Sequence, residues 1–244
     1  MVRRYGDSCM IIEYWSDFAC PFCYIAETRM KKALRELDIS DECRLDFKAF
    51  ELNQDAPKVP KRNIVEGFSH HYGMTMEQAQ AQVDRICAMG KEEGLEFNYA
   101  TARGSNTFDA LRLTKLAQSK GRELGDAFVE RMYKAYFTEN RILADRETLL
   151  SIAEEMGLDR KESEDLLDGD MYSKEVRRDE QEAYYLGISA VPFFVINKKY
   201  GIPGAVETSQ MKKVLMKAYS EEKTEELQPG MTCGPDGCGP AGKD

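Results

Sequence analysis

Histidine is nearly absent from this chain of 244 residues: there are two, His70 and His71, side by side. Adjacent histidines on what reads as a loop or helix end supply neither a histidine base with partners nor a histidine-rich metal site. An excess of positive charge is missing too. Acidic residues number 43 against 34 basic ones, for a net charge of −9, and an acidic surface repels phosphate backbones, which disfavours nucleic acid as a partner. No apolar run approaches the ~18 residues that would span a membrane. Arg3 and Arg4 imitate the start of a secretory leader, but Asp7, Glu13 and Asp17 interrupt the stretch after them, so no apolar leader core exists. The expected compartment is the cytoplasm.

What is present suits a folded enzyme. The chain is 42% hydrophobic and 32% charged, enough for a sizeable core in one large or two small domains. Its 7 cysteines, in a reducing compartment, point to redox or metal chemistry rather than structural disulfides.

The order of elements narrows the fold. Met10 to Trp15 reads as a strand, and Cys20 to about Leu37 as a helix with Ile25, Ala26, Met30, Ala33 and Leu34 on one face. Cys43 to Ala49 alternates as a half-buried strand, completing a β-α-β unit with parallel strands. Asn53 to Arg62, with two prolines, reads as a linker. From Ile64 to Gly169 only helical periods appear, one opened by a capping box at Thr75 and Gln78. A helix from Ser173 to Leu186 precedes a strand at Phe193 to Ile196, a hairpin return at Tyr200 to Ile202, and an amphipathic helix from Thr208 to about Glu222. The Gly/Pro-rich segment beyond reads as a flexible tail.

Cys20-Pro21-Phe22-Cys23 lies between a strand and a helix, the context that separates a redox CxxC from a chance one. The first cysteine of such a motif sits where unpaired backbone N–H groups favour a negative sulfur. Cys20 is therefore the expected nucleophile. Cys23, one turn in and deeper, is the expected resolving thiol. Val191-Pro192 follows Gly187 and leads into an apolar strand. A cis bond there would leave Val191 free to pair its backbone with an extended peptide.

Ser16 to Tyr24 resembles the active-site segment of DsbA-family thioredoxin-like proteins, most closely the FrnE-like subgroup. Asn106 to Leu113, Ala135 to Glu139, and Gly187 to Phe194 with Pro203-Gly204-Ala205 agree with it. The resemblance implies an α/β thioredoxin-like fold with an inserted all-α helical domain: residues 8–55 and 170–222 form the thioredoxin-like part, 56–169 the insertion and 223–244 the tail. It implies dithiol–disulfide exchange as reductase or isomerase, with Cys20, Cys23 and a cis Pro192 as catalytic residues and Pro21, Phe22 and Val191 touching substrate. No cofactor is implied beyond the redox-active disulfide itself, with glutathione a candidate reductant; partners are disulfide- or dithiol-containing proteins or small thiols. Phe22 stands where strong oxidants of the family carry histidine, which predicts a pair less oxidising than about −120 mV. Tyr14 occupies the position, six before Cys20, where many thioredoxin-like proteins hold a buried acid.

Cys233 and Cys238 enclose Gly-Pro-Asp-Gly, a bend that lets two sulfurs meet, and a tether of about eleven residues reaching ~36 Å suggests an electron relay to Cys20–Cys23. Two other functions compete. One is a glutathione-dependent transferase or isomerase on the same fold, which the second cysteine argues against. The other is a zinc module using Cys20, Cys23, Cys233 and Cys238 as four thiolates; the flexible second pair favours no metal. Cys43 and Cys87 read as core residues, and Phe128, Met132 and Tyr136 as the insertion's core.

Overall fold

The structure is a computed structural model. It describes residues 9–226, 232–234 and 237–239, with side chains to residue 222. The first strand, β1 (Met10–Ser16), has six of its seven residues buried, the mark of a central strand covered on both faces. It pairs in parallel with β2 (Cys43–Ala49), from Met10↔Cys43 to Ser16↔Ala49. The crossover between them is α1 (Pro21–Glu36). On its other side β1 runs antiparallel to β3 (Phe193–Ile196), which turns back into β4 (Tyr200–Pro203), for a sheet order β2-β1-β3-β4. The sequence pattern anticipates each of these strands.

Between β2 and β3 lie seven helices: α2 (Ile64–Tyr72), α3 (Met76–Glu92), α4 (Phe108–Lys120), α5 (Arg122–Phe137), α6 (Arg146–Glu155), α7 (Arg160–Asp168) and α8 (Ser173–Tyr185). The capping box at Thr75 and Gln78 is present. A second one, Asn63 with Glu66, starts α2 directly after the proline-rich linker. Gly73 ends α2 with φ +64°, in the left-handed region glycine tolerates.

One buried cluster runs from the sheet into these helices. Phe18 stacks on Phe47 at 5.4 Å and meets Tyr133 of α5 edge-on at 5.2 Å. Tyr24 of α1 stacks on Tyr133 at 4.7 Å. Each fully buried aromatic of this kind stabilises the fold by about 1.5–3 kcal/mol, so α5 is fastened to the active end of the sheet by the side chains that form its own core. Arg29, 2% exposed, pins α1 to its neighbours: it donates to Glu93 and to the Ala205 carbonyl, each at 2.8 Å. The opposite face of the sheet is covered by α8, where Trp15, Ala183, Ile188 and Val195 form a smaller cluster and the Trp15 indole donates to the Asp179 carbonyl at 2.8 Å.

The last long helix, α9 (Thr208–Glu226), continues beyond the end its sequence suggests near Glu222. Its far end lies at the base of the sheet. Tyr219 donates to Glu42 at 2.9 Å and Asn197 to Glu222 at 3.0 Å, where β2 begins and β3 ends. The backbone of β5 (Thr232–Gly234) and β6 (Gly237–Gly239) forms a hairpin that sets Cys233 opposite Cys238. The side chains of that pair, and the relay and zinc roles foreseen for them, lie outside the described residues.

Candidate active site

The top of β1 feeds directly into the site. Ser16 ends the strand, the chain turns through Asp17 to Ala19, and Cys20 becomes the N-cap of α1 with φ −94° and ψ 111°. The Cys20 side chain caps nothing, so its sulfur is left for other contacts. Asp17 builds the turn. Its carboxylate accepts from the Ala19 N–H at 3.1 Å and, across the fold, from the Leu52 N–H at 2.7 Å. Burial raises the Asp17 carboxyl, against these two bonds and one from Thr107 that pull it down.

Pro21 takes the first helical position, where its missing N–H costs nothing. The residue is buried at the start of the helix, beside Cys20. Phe22 is 38% exposed and does face solvent.

Cys20 is 5% exposed and Cys23 only 1%. Burial pushes the Cys23 thiol well above the ordinary thiol value; the neighbouring Cys20 adds to the shift, and the Ser16 side chain opposes it. Cys23 thus stays protonated through neutral pH until a base or its reaction partner draws the proton off. Ser16 is itself hydrogen-bonded to the Tyr133 hydroxyl.

The second wall comes from the distant strand β3. The Val191–Pro192 peptide is cis, and the Cys20 thiol donates to the Val191 carbonyl at 3.7 Å. The Pro192 carbonyl accepts from the Gly204 N–H at 2.8 Å, tying this loop to the turn after β4. Val191 is half-buried and Pro192 buried. The structure therefore brings Cys20, Cys23 and Val191-Pro192 together.

Four polar residues of the surroundings carried no signal of their own in the sequence: Ser16, Tyr133, Thr107 and Glu27. The last is 3% exposed on α1, one turn beyond Cys23. Cys9 is exposed, at the other end of β1. Cys43 is buried, its thiol pushed up to about 12 chiefly by burial. His70 and His71 fall in the last turn of α2. Among the described residues no group of three or more His, Cys, Asp and Glu is placed to hold a metal ion, and no helix is long and apolar enough to cross a membrane.

Comparison with known proteins gives a consistent result. The family model described as DSBA-like thioredoxin domain matches residues 11–216. A Bacillus subtilis protein, YwbO, is 28% identical over 213 residues, covering 87% of this chain and 96% of its own. The crystal structure of a probable DsbA oxidoreductase from Streptomyces coelicolor superposes with a TM-score of 0.84 at 35% identity, covering 96% of this chain and all of that one. The cytosolic disulfide reductase DsbM from Pseudomonas aeruginosa, solved with GSH, shares the fold at a TM-score of 0.57 and 17% identity, covering 89% of this chain and 100% of that one.

Proposed function

Since the chain belongs to the DSBA-like thioredoxin domain family, we propose that it catalyses thiol–disulfide exchange through Cys20 and Cys23, acting as a reductase or isomerase of disulfides. The observation that carries this reading is the paired placement of the two sulfurs. Cys20 sits at a helix N-terminus within reach of the Val191 carbonyl, and Cys23 sits behind it, buried and protonated.

In the proposed cycle the Cys20 thiolate attacks a substrate disulfide. One substrate sulfur leaves as a thiolate and the other stays bonded to Cys20. Cys23 then loses its proton and attacks Cys20, releasing the second substrate sulfur and leaving a Cys20–Cys23 disulfide. Val191, ahead of the cis bond, offers its backbone to the substrate strand, and Phe22 gives it an apolar contact.

The direction follows from Phe22. An aromatic hydrocarbon cannot donate a hydrogen bond to the Cys20 thiolate, so the reduced pair gains less stability and oxidises substrates less strongly. Reduction or isomerisation in a cytoplasmic thiol pool is the role that fits, with glutathione as the proposed small reductant. The glutathione-bearing relative of this fold motivates that choice.

Trapping tests the proposal. Cys23→Ser should accumulate substrates as mixed disulfides on Cys20, identifiable by mass spectrometry. A variant that forms no adducts, or a Cys20→Ser variant that still exchanges disulfides, would falsify it.

A further inference from the structure

Resting on that exchange reading, we propose that a cavity between residues 57–62 and the start of α2 receives a free carboxylate of the disulfide substrate while the substrate sulfur meets Cys20. The cavity has a volume of about 310 Å³, and its wall includes Pro57, Lys61, Arg62, Ile64, His70 and Gly104.

The charge of this wall carries the proposal. The chain as a whole is acidic, at −9, yet no Asp or Glu among the described residues lines the cavity. Lys58, just outside it, is paired with Asp109 at 3.3 Å. Lys61 and Arg62 pair with no carboxylate among the described residues. Glu66, the acid nearest in sequence, turns back to accept from the Asn63 N–H at 2.9 Å, and the Asn63 side chain accepts from the Glu66 N–H at 2.9 Å. That capping box closes on itself, so it leaves the two cations uncompensated. Cations of one sign around a concave wall concentrate anions there.

A second observation comes from behind the wall. Tyr136 is 2% exposed and Ser105 is 4% exposed, and each buries a hydroxyl that closes no hydrogen bond, a costly state for a polar group. Gly104 joins them to the cavity. It lines the wall, and a Cβ on it would sit 3.8 Å from the Tyr136 hydroxyl and 3.7 Å from Ile64 Cδ1. With no side chain at Gly104, only backbone separates that spare donor from an anion seated against Lys61 and Arg62.

The cavity also lies near the reacting sulfur. The Leu52 N–H donates to the Asp17 carboxylate in the turn that leads to Cys20. Pro57 follows five residues later, at most about 18 Å away, and a bond from the Ala56 N–H to the Asn53 carbonyl at 3.2 Å folds that stretch back. The Tyr136 hydroxyl feels the Asp17 charge, and the neighbouring Tyr99 hydroxyl feels that of Cys20. A carboxylate two residues beyond a cysteine reaches about 10 Å from its sulfur, so short acidic disulfides are the class this arrangement selects. Lys61 and Arg62 act through binding: they set which disulfide is exchanged, not how.

Two disulfide-linked dimers of acetyl-Cys-Gly-Gly, one ending in free carboxylates and the other in amides, differ only in the group the cavity would hold. With the full-length reduced protein, kcat/KM for the acid should exceed that for the amide at least fivefold, as two partly exposed ion pairs would give, with the difference in KM. Lys61→Gln combined with Arg62→Gln should bring that preference below twofold. Both positions are exposed, so the fold should persist. Gly104→Leu fills the cavity and keeps every charge, and it should bring the preference below twofold as well. If Gly104→Leu does not fold, Tyr136→Phe takes its place and should at least halve the preference. A wild-type preference under fivefold, or one that stays above twofold in the double variant, overturns the proposal. So does a preference lost in the double variant but kept when the cavity is filled or the hydroxyl removed, since the attraction is then long-range charge and not a subsite. Failure of both dimers to react with the wild type would instead overturn the exchange reading beneath it.

Discussion

Cys20–Cys23 and Cys233–Cys238 are both pairs that a bend brings close, yet the fold treats them differently. The first pair is embedded. A strand end, a buried aspartate turn, a helix N-terminus and a cis-proline loop from the other half of the chain all converge on it. In the second pair, what is described is the backbone hairpin that sets Cys233 opposite Cys238. Proximity of two sulfurs is a local property that a few glycines provide. Reactivity needs groups brought from far along the chain, and the first pair alone shows them among the described residues.

The sharpest way to break this contrast is to remove the sulfurs in turn. Cys20→Ser is expected to reduce disulfide exchange to background, measured by insulin-type turbidity or glutathione-coupled turnover. Cys23→Ser should retain single-adduct formation and lose turnover. If Cys233→Ser had the larger effect, the two pairs would have been ranked in the wrong order.

Next in size is the scaffold that holds the first pair. Arg29→Ala should cost about 1.5–3 kcal/mol, the usual worth of a hydrogen bond to a charged group, because Glu93, 7% exposed, is left with Lys32 alone at 3.4 Å. It also frees the Ala205 carbonyl, in the turn whose Gly204 N–H holds the Pro192 carbonyl. Denaturant unfolding measures the loss. A cost under about 1 kcal/mol would mean that the Arg29–Glu93 pair behaves as a solvated surface contact.

Phe22→His probes the chemistry without touching the scaffold, since the side chain faces solvent. An imidazole that can donate to the Cys20 thiolate should raise the reduction potential of the pair by about 30 mV or more, a tenfold change in the exchange equilibrium. Equilibration against a glutathione buffer measures it. An unchanged potential would remove Phe22 as the reason for a weakly oxidising pair.

A smaller effect concerns pH. Burial raises the Glu27 carboxyl above its unfolded value. The fold therefore binds that proton more tightly than the unfolded chain, and the linked stability is present at low pH and lost as pH rises through the raised value. Glu27→Gln keeps a neutral side chain at every pH, so its stability relative to wild type should be more favourable at about pH 7.5 than at about pH 4.5. Unfolding midpoints at the two values give the sign. The opposite order would mean that the Lys31 pairing outweighs burial.

These residues also show what a sequence reveals. The strand–CxxC–helix order, the cis proline ahead of an apolar strand and the Thr75 capping box are local patterns, and each was legible. Glu27 was not. A glutamate in a helix beside a lysine reads as solvated, and its burial depends on Tyr14 and Tyr133, the latter more than a hundred residues away. Asp17 reads as a turn residue, because its bond to the Leu52 N–H exists only once β2 lies alongside β1. The length of α9 was misjudged for a different reason. A run of Glu and Lys from Glu221 reads as a solvated helix end, yet the helix continues to Glu226.

That extra turn of α9 bears on the smallest expected effect. Read from sequence, a tether of about eleven residues could carry Cys233 to Cys20. In the structure the helix runs to Glu226 and Cys233 lies seven residues further on, a reach of about 25 Å at most. Seven residues before that end, Tyr219 lies at the base of the sheet, beside Glu42. Cys20 lies beyond the top of β1, whose seven residues alone span about 20 Å. A shorter tether spans less of the fold, so a within-chain relay is expected to add little to turnover. Replacing both Cys233 and Cys238 by serine should therefore change turnover less than twofold, in dilute enzyme and with a small disulfide as substrate. A tenfold loss under those conditions would show that the tail pair reaches Cys20, and that the two pairs work as one in the cycle.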